Sequence, residues 1–354
     1  MEPEQITAAG SAGTRTHQLE FRGSGAEYFR ICIVNLALTI LTLGIYSAWA
    51  KVRRLRYMHG STWLDGSSFG YHGEPLRILK GRAIAFVLVA AYFGLGQVSP
   101  VAGAIAGLVL FAVFPWLIVK SLVFRLRMTS WRGVRFDFRS DFAGAYRAFM
   151  GWMVLAAVTL GILFPRFAYE RHRYVINGAS FGSTPFVFAA RVWPFYRTYM
   201  VASIIVVAVL AVLLGMIFAA VGGSAGLQDP AVLALFQLLP LLSIMVSYLA
   251  AAGYLQSRIL NEVYGSTSLG PHRLRSDLAA LPLTWIYASN VAGVLLTLGL
   301  FMPWAQVRLM RYRLGTLSVE AQGSLSEFAA AQERSQPGAA GEEISDFFDV
   351  DFGL

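Results

Sequence analysis

The sequence predicts an all-α polytopic membrane protein of about seven transmembrane helices, built from degenerate internal repeats, with short extended or hairpin segments in its loops. Composition is the first sign: the 354 residues are 56% hydrophobic and only 14% charged, with a mean hydropathy of +0.57. Ordinary soluble domains carry roughly 25% charged residues. The second sign is that long windows hold no Asp, Glu, Lys or Arg, and the third is that Thr-Leu-Gly occurs three times, at Thr42, Thr159 and Thr297.

The uncharged windows are 31–50, 83–119, 148–165, 198–228, 231–257 and 282–307. A helix needs about 20 apolar residues to cross a bilayer. The three Thr-Leu-Gly windows therefore allow one pass each, and 83–119 and 198–257 allow two each. The first 20 residues lack a basic segment, an apolar core and a cleavage site, so no removable signal peptide is expected. Cys32 is the sole cysteine, which rules out an intrachain disulfide and a cysteine metal cluster.

The repeat is read from gapless matches. Residues 35–57 align with 290–312, sharing Asn35/Asn290, Thr42/Thr297 and the Leu-Gly that follows, Trp49/Trp304, Arg53/Arg308, Arg56/Arg311 and Tyr57/Tyr312. Downstream of each tripeptide, Trp49, Arg53, Arg56 and Tyr57, and likewise Trp304, Arg308, Arg311 and Tyr312, fall on one helical stripe, as expected of an interfacial belt that contacts lipid with aromatic rings and arginine heads. A Gly-punctuated extended segment follows at 63–73, then a basic link at 76–82. A shift of 67 residues gives a copy that keeps the layout but loses Thr-Leu-Gly, a shift of 117 one that keeps Thr-Leu-Gly while Arg166 and Glu170 replace Trp49 and Arg53, and a shift of 205 a worn fourth copy.

Residues 18–82 and 282–319, with the arrangement between them, resemble the YjgN family of bacterial inner-membrane proteins, a domain-of-unknown-function family. The resemblance rests on Thr42-Leu43-Gly44-Ile45-Tyr46-Ser47-Ala48-Trp49-Ala50-Lys51-Val52-Arg53, Asp65-Gly66-Ser67-Ser68-Phe69, Leu79-Lys80-Gly81-Arg82 and Met302-Pro303-Trp304-Ala305-Gln306-Val307-Arg308. It implies a multi-pass protein of the bacterial inner (cytoplasmic) membrane and supplies no catalytic residues.

With seven crossings, loops 51–82 and 120–147 and the C-terminal tail share one side, and the N-terminus with loops 166–198 and 255–281 the other. The positive-inside rule then places the C-terminus in the cytoplasm. Loop 166–198, with five arginines against Glu170, sits on the wrong side. Re-entrant or interfacial Thr-Leu-Gly helices would remove the conflict.

No ionisable residue lies in the windows, which argues against a proton-driven carrier. Asn35, Thr42, Asn290 and Thr297 are the candidates for a polar path or for helix packing. The five histidines show no metal-ligand spacing, Asp65, Asp137 and Asp141 lie in basic loops where pairing with Arg is expected, and no catalytic motif occurs. No enzyme and no cofactor are expected.

Three parts are expected: a disordered tail at 1–17, an integral domain at 18–319, and an acidic, mostly disordered tail at 320–354. The last holds eight acids against Arg334, leaving the remainder of the chain with 28 basic and 12 acidic residues. Phe347, Phe348 and Phe352 alternate with acids and suit docking on an unknown protein partner, the alternative being a plain solvated tail. Nucleic acid is not expected as a partner; anionic lipid headgroups are. Two functional classes follow: a transport- or channel-related membrane protein, and a structural or envelope-associated one that binds anionic lipid through Arg-rich loops and a partner through its acidic C-terminus.

Overall fold

The structure, a computed structural model, describes residues 14–220 and 230–335, with the side chains of 220–238 left aside. Its elements alternate strand and helix pairs. The strands are β1 (Thr14–Phe21), β2 (Thr62–Leu64), β3 (Ser67–Tyr71), β4 (Thr129–Trp131), β5 (Val134–Phe138), β6 (Ala179–Phe181), β7 (Thr184–Phe188), β8 (Thr267–Leu269), β9 (His272–Ser276) and β10 (Leu317–Gln322). The helices between them are α1 (Gly25–Leu41), α2 (Ser47–Gly60), α3 (Pro75–Val98), α4 (Pro100–Arg127), α5 (Phe142–Ala145), α6 (Trp152–Val158), α7 (Phe164–Gly178), α8 (Trp193–Ala220), α9 (Pro230–Gly265), α10 (Ala280–Leu296) and α11 (Met302–Gly315); α12 (Leu325–Ser335) follows β10. A π-helical turn, Tyr146–Gly151, joins α5 to α6.

All ten strands form one closed antiparallel barrel in the order β1-β10-β9-β8-β7-β6-β5-β4-β3-β2. Closure joins the chain's two ends: β1 pairs with β10 from Thr14↔Gln322 to Gln18↔Ser318, then with β2 from Leu19↔Leu64 to Phe21↔Thr62. Two of the tight turns use positive-φ pairs, Asp65-Gly66 (φ 46 and 73) and Arg132-Gly133 (φ 50 and 81), whose twist matches that of a hairpin. Closure leaves no unpaired strand edge, which explains how segments of three to five residues hold a sheet.

Five helical hairpins project from one rim, since each starts just after one strand and ends just before the next. The pairs α3/α4 and α8/α9 are long; the pairs α1/α2, α5–α6/α7 and α10/α11 are short and carry Thr-Leu-Gly at their tips. Neighbouring hairpins pack side by side, and α11 packs on α1, so the ring closes as the barrel does. There Tyr28 Oη donates to Gln306 Oε1 (2.8 Å), Phe29 stacks on Trp304 (4.6 Å), and Gly25 lies so close to Trp304 that a Cβ would fall 2.3 Å from the indole.

The expected helical membrane class holds, and the count of about seven crossings is not reproduced. Among the described residues four helices are long and apolar enough to span a bilayer, Pro75–Val98, Pro100–Arg127, Trp193–Ala219 and Leu239–Gly265. The three Thr-Leu-Gly windows do not form single helices, because the tripeptide turns the chain back. The extended loop segments are paired as short antiparallel strands, β2 with β3, β4 with β5, β6 with β7 and β8 with β9. At the ends, β1 begins at Thr14, and α12 covers a barrel mouth with Leu325 and Ala329 buried, which amphipathic spacing favours. The rest of the acidic tail lies outside the described residues, as do Phe347, Phe348 and Phe352.

Candidate functional site: hairpin tips and the barrel chamber

Each tip is built the same way. The threonine closes the first helix: Thr42 Oγ1 donates to Leu38 O (2.7 Å), Thr159 Oγ1 to Leu155 O (2.7 Å) and Thr297 Oγ1 to Gly293 O (2.7 Å). The same oxygens then accept from the next helix, from the backbone N–H of Tyr46 (2.9 Å), Leu163 (3.3 Å) and Phe301 (2.9 Å). The glycine N–H reaches back five residues, to Thr39 O, Ala156 O and Val294 O at 2.8, 2.7 and 2.8 Å, which is a Schellman end. That motif demands a left-handed residue. Here it is leucine: Leu43, Leu160 and Leu298 sit at φ 50, 51 and 51.

A left-handed leucine costs roughly 1–2 kcal/mol. The three side chains are 95%, 95% and 96% exposed, so no packing within the protein offsets the strain. Around them Leu41, Ile45, Val158, Ile162, Leu296 and Leu300 are exposed too, so each tip is an apolar knob.

Asn35 and Asn290 lie inside their own hairpins. Their Nδ2 atoms donate to Ala50 O (3.5 Å) and Ala305 O (3.1 Å), each 15 residues on, and tie one arm to the other. None of Asn35, Thr42, Asn290 and Thr297 lines the chamber described below or the cavity beneath it. At the bases, Tyr57 Oη accepts from Ser24 N (2.8 Å), Tyr312 Oη from Ala279 N (3.1 Å), and Tyr174 Oη donates to Asp141 O (2.8 Å), each across 33 residues. Trp49 is half-buried beside the cluster of Ala48, Val52, Tyr71, Ile78 and Phe124, while Trp304 is wedged between the first and last hairpins. Arg53, Arg56 and Arg311 are exposed; Arg311 Nη2 donates to Gly23 O (3.0 Å) and the half-buried Arg308 to Ser289 Oγ (2.7 Å). The stripe thus divides, aromatic rings inward and most guanidinium groups outward.

The expected carboxylate pairs are present for Asp65 with Arg132 (2.8 Å) and Asp137 with Arg127 (2.8 Å). Asp141 instead caps α5 by accepting from Gly144 N (2.9 Å). A cleft of about 630 Å³ at the base of the second short hairpin is lined by Arg139, Arg147 and Arg173 against Asp141 and Glu170. Glu170 is engaged by Arg166 at 2.7 Å.

Inside the barrel lies a chamber of about 200 Å³ to which all ten strands and α12 contribute. Its accessible walls are wholly apolar, with Trp131, Phe181, Phe186, Phe328 and carbon atoms of the His272 ring among them. That imidazole is 2% exposed, meets the Phe328 ring edge-on at 4.6 Å, and neither ring nitrogen has a hydrogen-bond partner. Phe69 and Phe136, stacked at 6.4 Å, also border a second cavity of about 290 Å³ reaching Met58, His59, Leu126 and Met310 at the helix ends. Reading histidines by metal spacing missed His272. The alternation of exposed Arg273 and Arg275 with inward His272, Leu274 and Ser276 carried the signal.

Burial pushes the His272 pKa below the ordinary histidine value. The neutral ring is therefore the folded form, while in the unfolded chain it takes a proton near pH 6.5. Stability contributed this way is complete above about pH 6.5 and is lost as pH falls toward the folded pKa. Melting temperature in detergent is expected to drop between pH 7 and 5, and less steeply in His272→Leu.

A profile of the family described as bacterial protein of unknown function (DUF898) matches residues 16–347. The inner membrane protein YjgN of Escherichia coli O157:H7 is 34% identical over 156 residues, which is 42% of this chain and 38% of that protein. Its counterpart in Salmonella typhimurium is 32% identical over 154 residues, 43% and 39% of the two chains, and that of Escherichia coli K12 is 33% identical over 155 residues, 42% and 38%. The match thus spans about two fifths of these relatives' length. No solved structure matches. With nearly its whole length under the family profile, the chain belongs to the DUF898 family of bacterial proteins of unknown function and is a YjgN-family protein.

Proposed function

We propose that the protein is a multi-pass protein of the bacterial inner membrane that grips one leaflet. Two long hairpins cross, three Thr-Leu-Gly hairpins dip into the leaflet beside the barrel, and arginines at the hairpin bases hold anionic headgroups. The observation that carries this reading is the left-handed, exposed leucine at each tip. In water it would cost strain and gain nothing; in hydrocarbon, burial of a leucine is worth roughly 1.5–3 kcal/mol and offsets the strain.

Charge sets the depth. Lys51 follows Gly44 by seven residues and Arg166 follows Gly161 by five, a rise of about 7–10 Å at 1.5 Å per residue. That fits within one leaflet, about half of the ~30 Å hydrocarbon core. With four crossings every Arg-rich loop falls on the barrel side, and the turn of the first long hairpin, at Ser99, carries no charge. The positive-inside rule then puts the barrel and both β1 and β10 in the cytoplasm, and the conflict over loop 166–198 disappears. The relatives' printed names fit this location, and the shared geometry of the hairpins supports growth by duplication of one unit.

Nanodiscs test the lipid role. The melting temperature is expected to be higher in phosphatidylglycerol than in phosphatidylcholine, and replacing Arg53, Arg56 and Arg171, which is exposed on α7, together by Gln is expected to remove most of the difference. Equal melting temperatures of the native protein in both lipids would contradict headgroup binding. A second reading, passage of an apolar molecule between barrel and bilayer, is favoured by the two cavities that share Phe69 and Phe136.

A further inference from the structure

We propose that the cleft at the base of the second short hairpin is a discrete site for one phosphate-ester anion, the headgroup of a single anionic phospholipid, with Arg139, Arg147 and Arg173 as its donors. The inference rests on the headgroup reading and deepens it, from arginine-rich bases in general to one built site.

This hairpin departs from the other two short ones where the cleft opens. In the first and last, an asparagine ties arm to arm, Asn35 to Ala50 O and Asn290 to Ala305 O. A shift of 117 residues puts Trp152 at that position, so the tie is gone. Arg166, in the place of Trp49, lies over the Trp152 ring instead, at 5.0 Å. The first arm changes as well: α1 and α10 are uninterrupted, whereas the π-helical turn Tyr146–Gly151, which carries Arg147, lies between α5 and α6. Such turns are rare and frequent at functional sites. The cleft beside them holds about 630 Å³, within the roughly 300–1,000 Å³ of small-ligand sites.

Charge selects the ligand. The side chains of Arg139 and Arg147 make no ion pair and no hydrogen bond among the described residues. The carboxylates are already engaged: Asp141 accepts from Gly144 N, and Glu170 is paired with Arg166 at 2.7 Å and lies 3.8 Å from Arg173. With Arg166 included, four guanidinium groups meet these two carboxylates, which leaves positive charge in excess. Phosphate oxygens match the guanidinium fork and take charge-assisted hydrogen bonds. A headgroup that ends in a quaternary ammonium is disfavoured by the same excess.

Depth favours a lipid over a soluble ester. Arg147 precedes Thr159 by twelve residues and Arg173 follows Gly161 by twelve, a rise of about 18 Å from the tip. Trp152 precedes Thr159 by seven, about 10 Å. One leaflet's hydrocarbon is about 15 Å deep, so the arginines reach headgroup level while the Trp152 ring stands beside the acyl chain.

Native mass spectrometry of the full chain in detergent, titrated with lipid, tests this. One phosphatidylglycerol is expected to stay bound per chain, about tenfold more tightly than phosphatidylcholine, and Arg147→Gln/Arg173→Gln is expected to weaken it by about tenfold or more. Arg53→Gln/Arg56→Gln, on another hairpin, should leave this one lipid in place. An excess of glycerol 3-phosphate should not displace it. Melting curves establish that each variant is folded, and a variant that does not melt cooperatively is replaced by Arg139→Gln. Equal retention of the two lipids, or retention unchanged by the cleft substitutions, would overturn the site, and displacement by glycerol phosphate would overturn the lipid as its occupant. Either failure alongside a phosphatidylglycerol-dependent melting temperature would strike the cleft alone, since the headgroup reading fails only by equal melting temperatures in the two lipids.

Discussion

A chain carrying Asp at Leu43, Leu160 and Leu298 is expected to fold in detergent yet fail to seat its short hairpins in a bilayer. The three leucines touch almost nothing in the protein, so their loss removes no packing. Aspartate also tolerates left-handed backbone better than leucine, and the turn itself should be unharmed. Each carboxylate carried to the middle of the hydrocarbon costs up to about 3 kcal/mol, less at shallower depth. The readout is a single cysteine at Ile45, itself 58% exposed, in a Cys32→Ser background, offered a water-borne thiol reagent in proteoliposomes. It is expected to be shielded in the native hairpin and labelled at least tenfold faster in the triple variant. A native Ile45 cysteine that already reacts freely would show that the tips stand in water.

The second large effect is expected from Phe181→Ala. Phe181 is 2% exposed and lies between Trp131 (5.9 Å), Phe136 (5.1 Å) and Phe328 (6.0 Å), where the short strands and α12 meet. Truncating a buried phenylalanine typically costs about 3–5 kcal/mol. The loss should be near that range, because β6 has three residues and few ladder bonds with which to resist. Urea unfolding of the detergent-solubilised protein measures it. Leu298→Ala at an exposed tip is the matched comparison and should change stability in detergent by less than about 0.5 kcal/mol. Comparable losses at both positions would mean that the barrel core does not hold the fold together.

Much of this was legible in the residues themselves, and the gaps have identifiable causes. The alignment of 35–57 with 290–312 singled out Asn35, Thr42, Tyr57 and their counterparts as a matched set, but it assigned the threonines to a polar path or helix packing and the tyrosines to lipid, not to the turns and base contacts that they make. Asp65-Gly66 announced a hairpin because few other pairs accept two positive φ angles in succession. What misled was hydropathy. A run such as 31–50 is long enough to cross, and only the joint geometry of Thr42, Leu43 and Gly44 reveals that the chain doubles back. Leucine at the left-handed position hid the signal, since glycine or asparagine is the residue that normally marks such a helix end. Barrel closure was beyond local reading for another reason: Thr14 and Gln322 pair across nearly the whole chain, and no local periodicity encodes so distant a contact. His272 was overlooked because metal spacing, not strand alternation, was the question asked of it.

The central claim is that every strand pair lies on one side of the membrane, joined in a single barrel. Single cysteines at Ser140 and Ser183, both exposed, in a Cys32→Ser background test it most directly, because seven crossings would put these two positions on opposite sides. With an impermeant thiol reagent, the account predicts that both are protected in intact cells and both react in inverted membrane vesicles. Labelling of Ser183→Cys in intact cells while Ser140→Cys stays protected would contradict it, for then β5 and β6 could not be hydrogen-bonded neighbours.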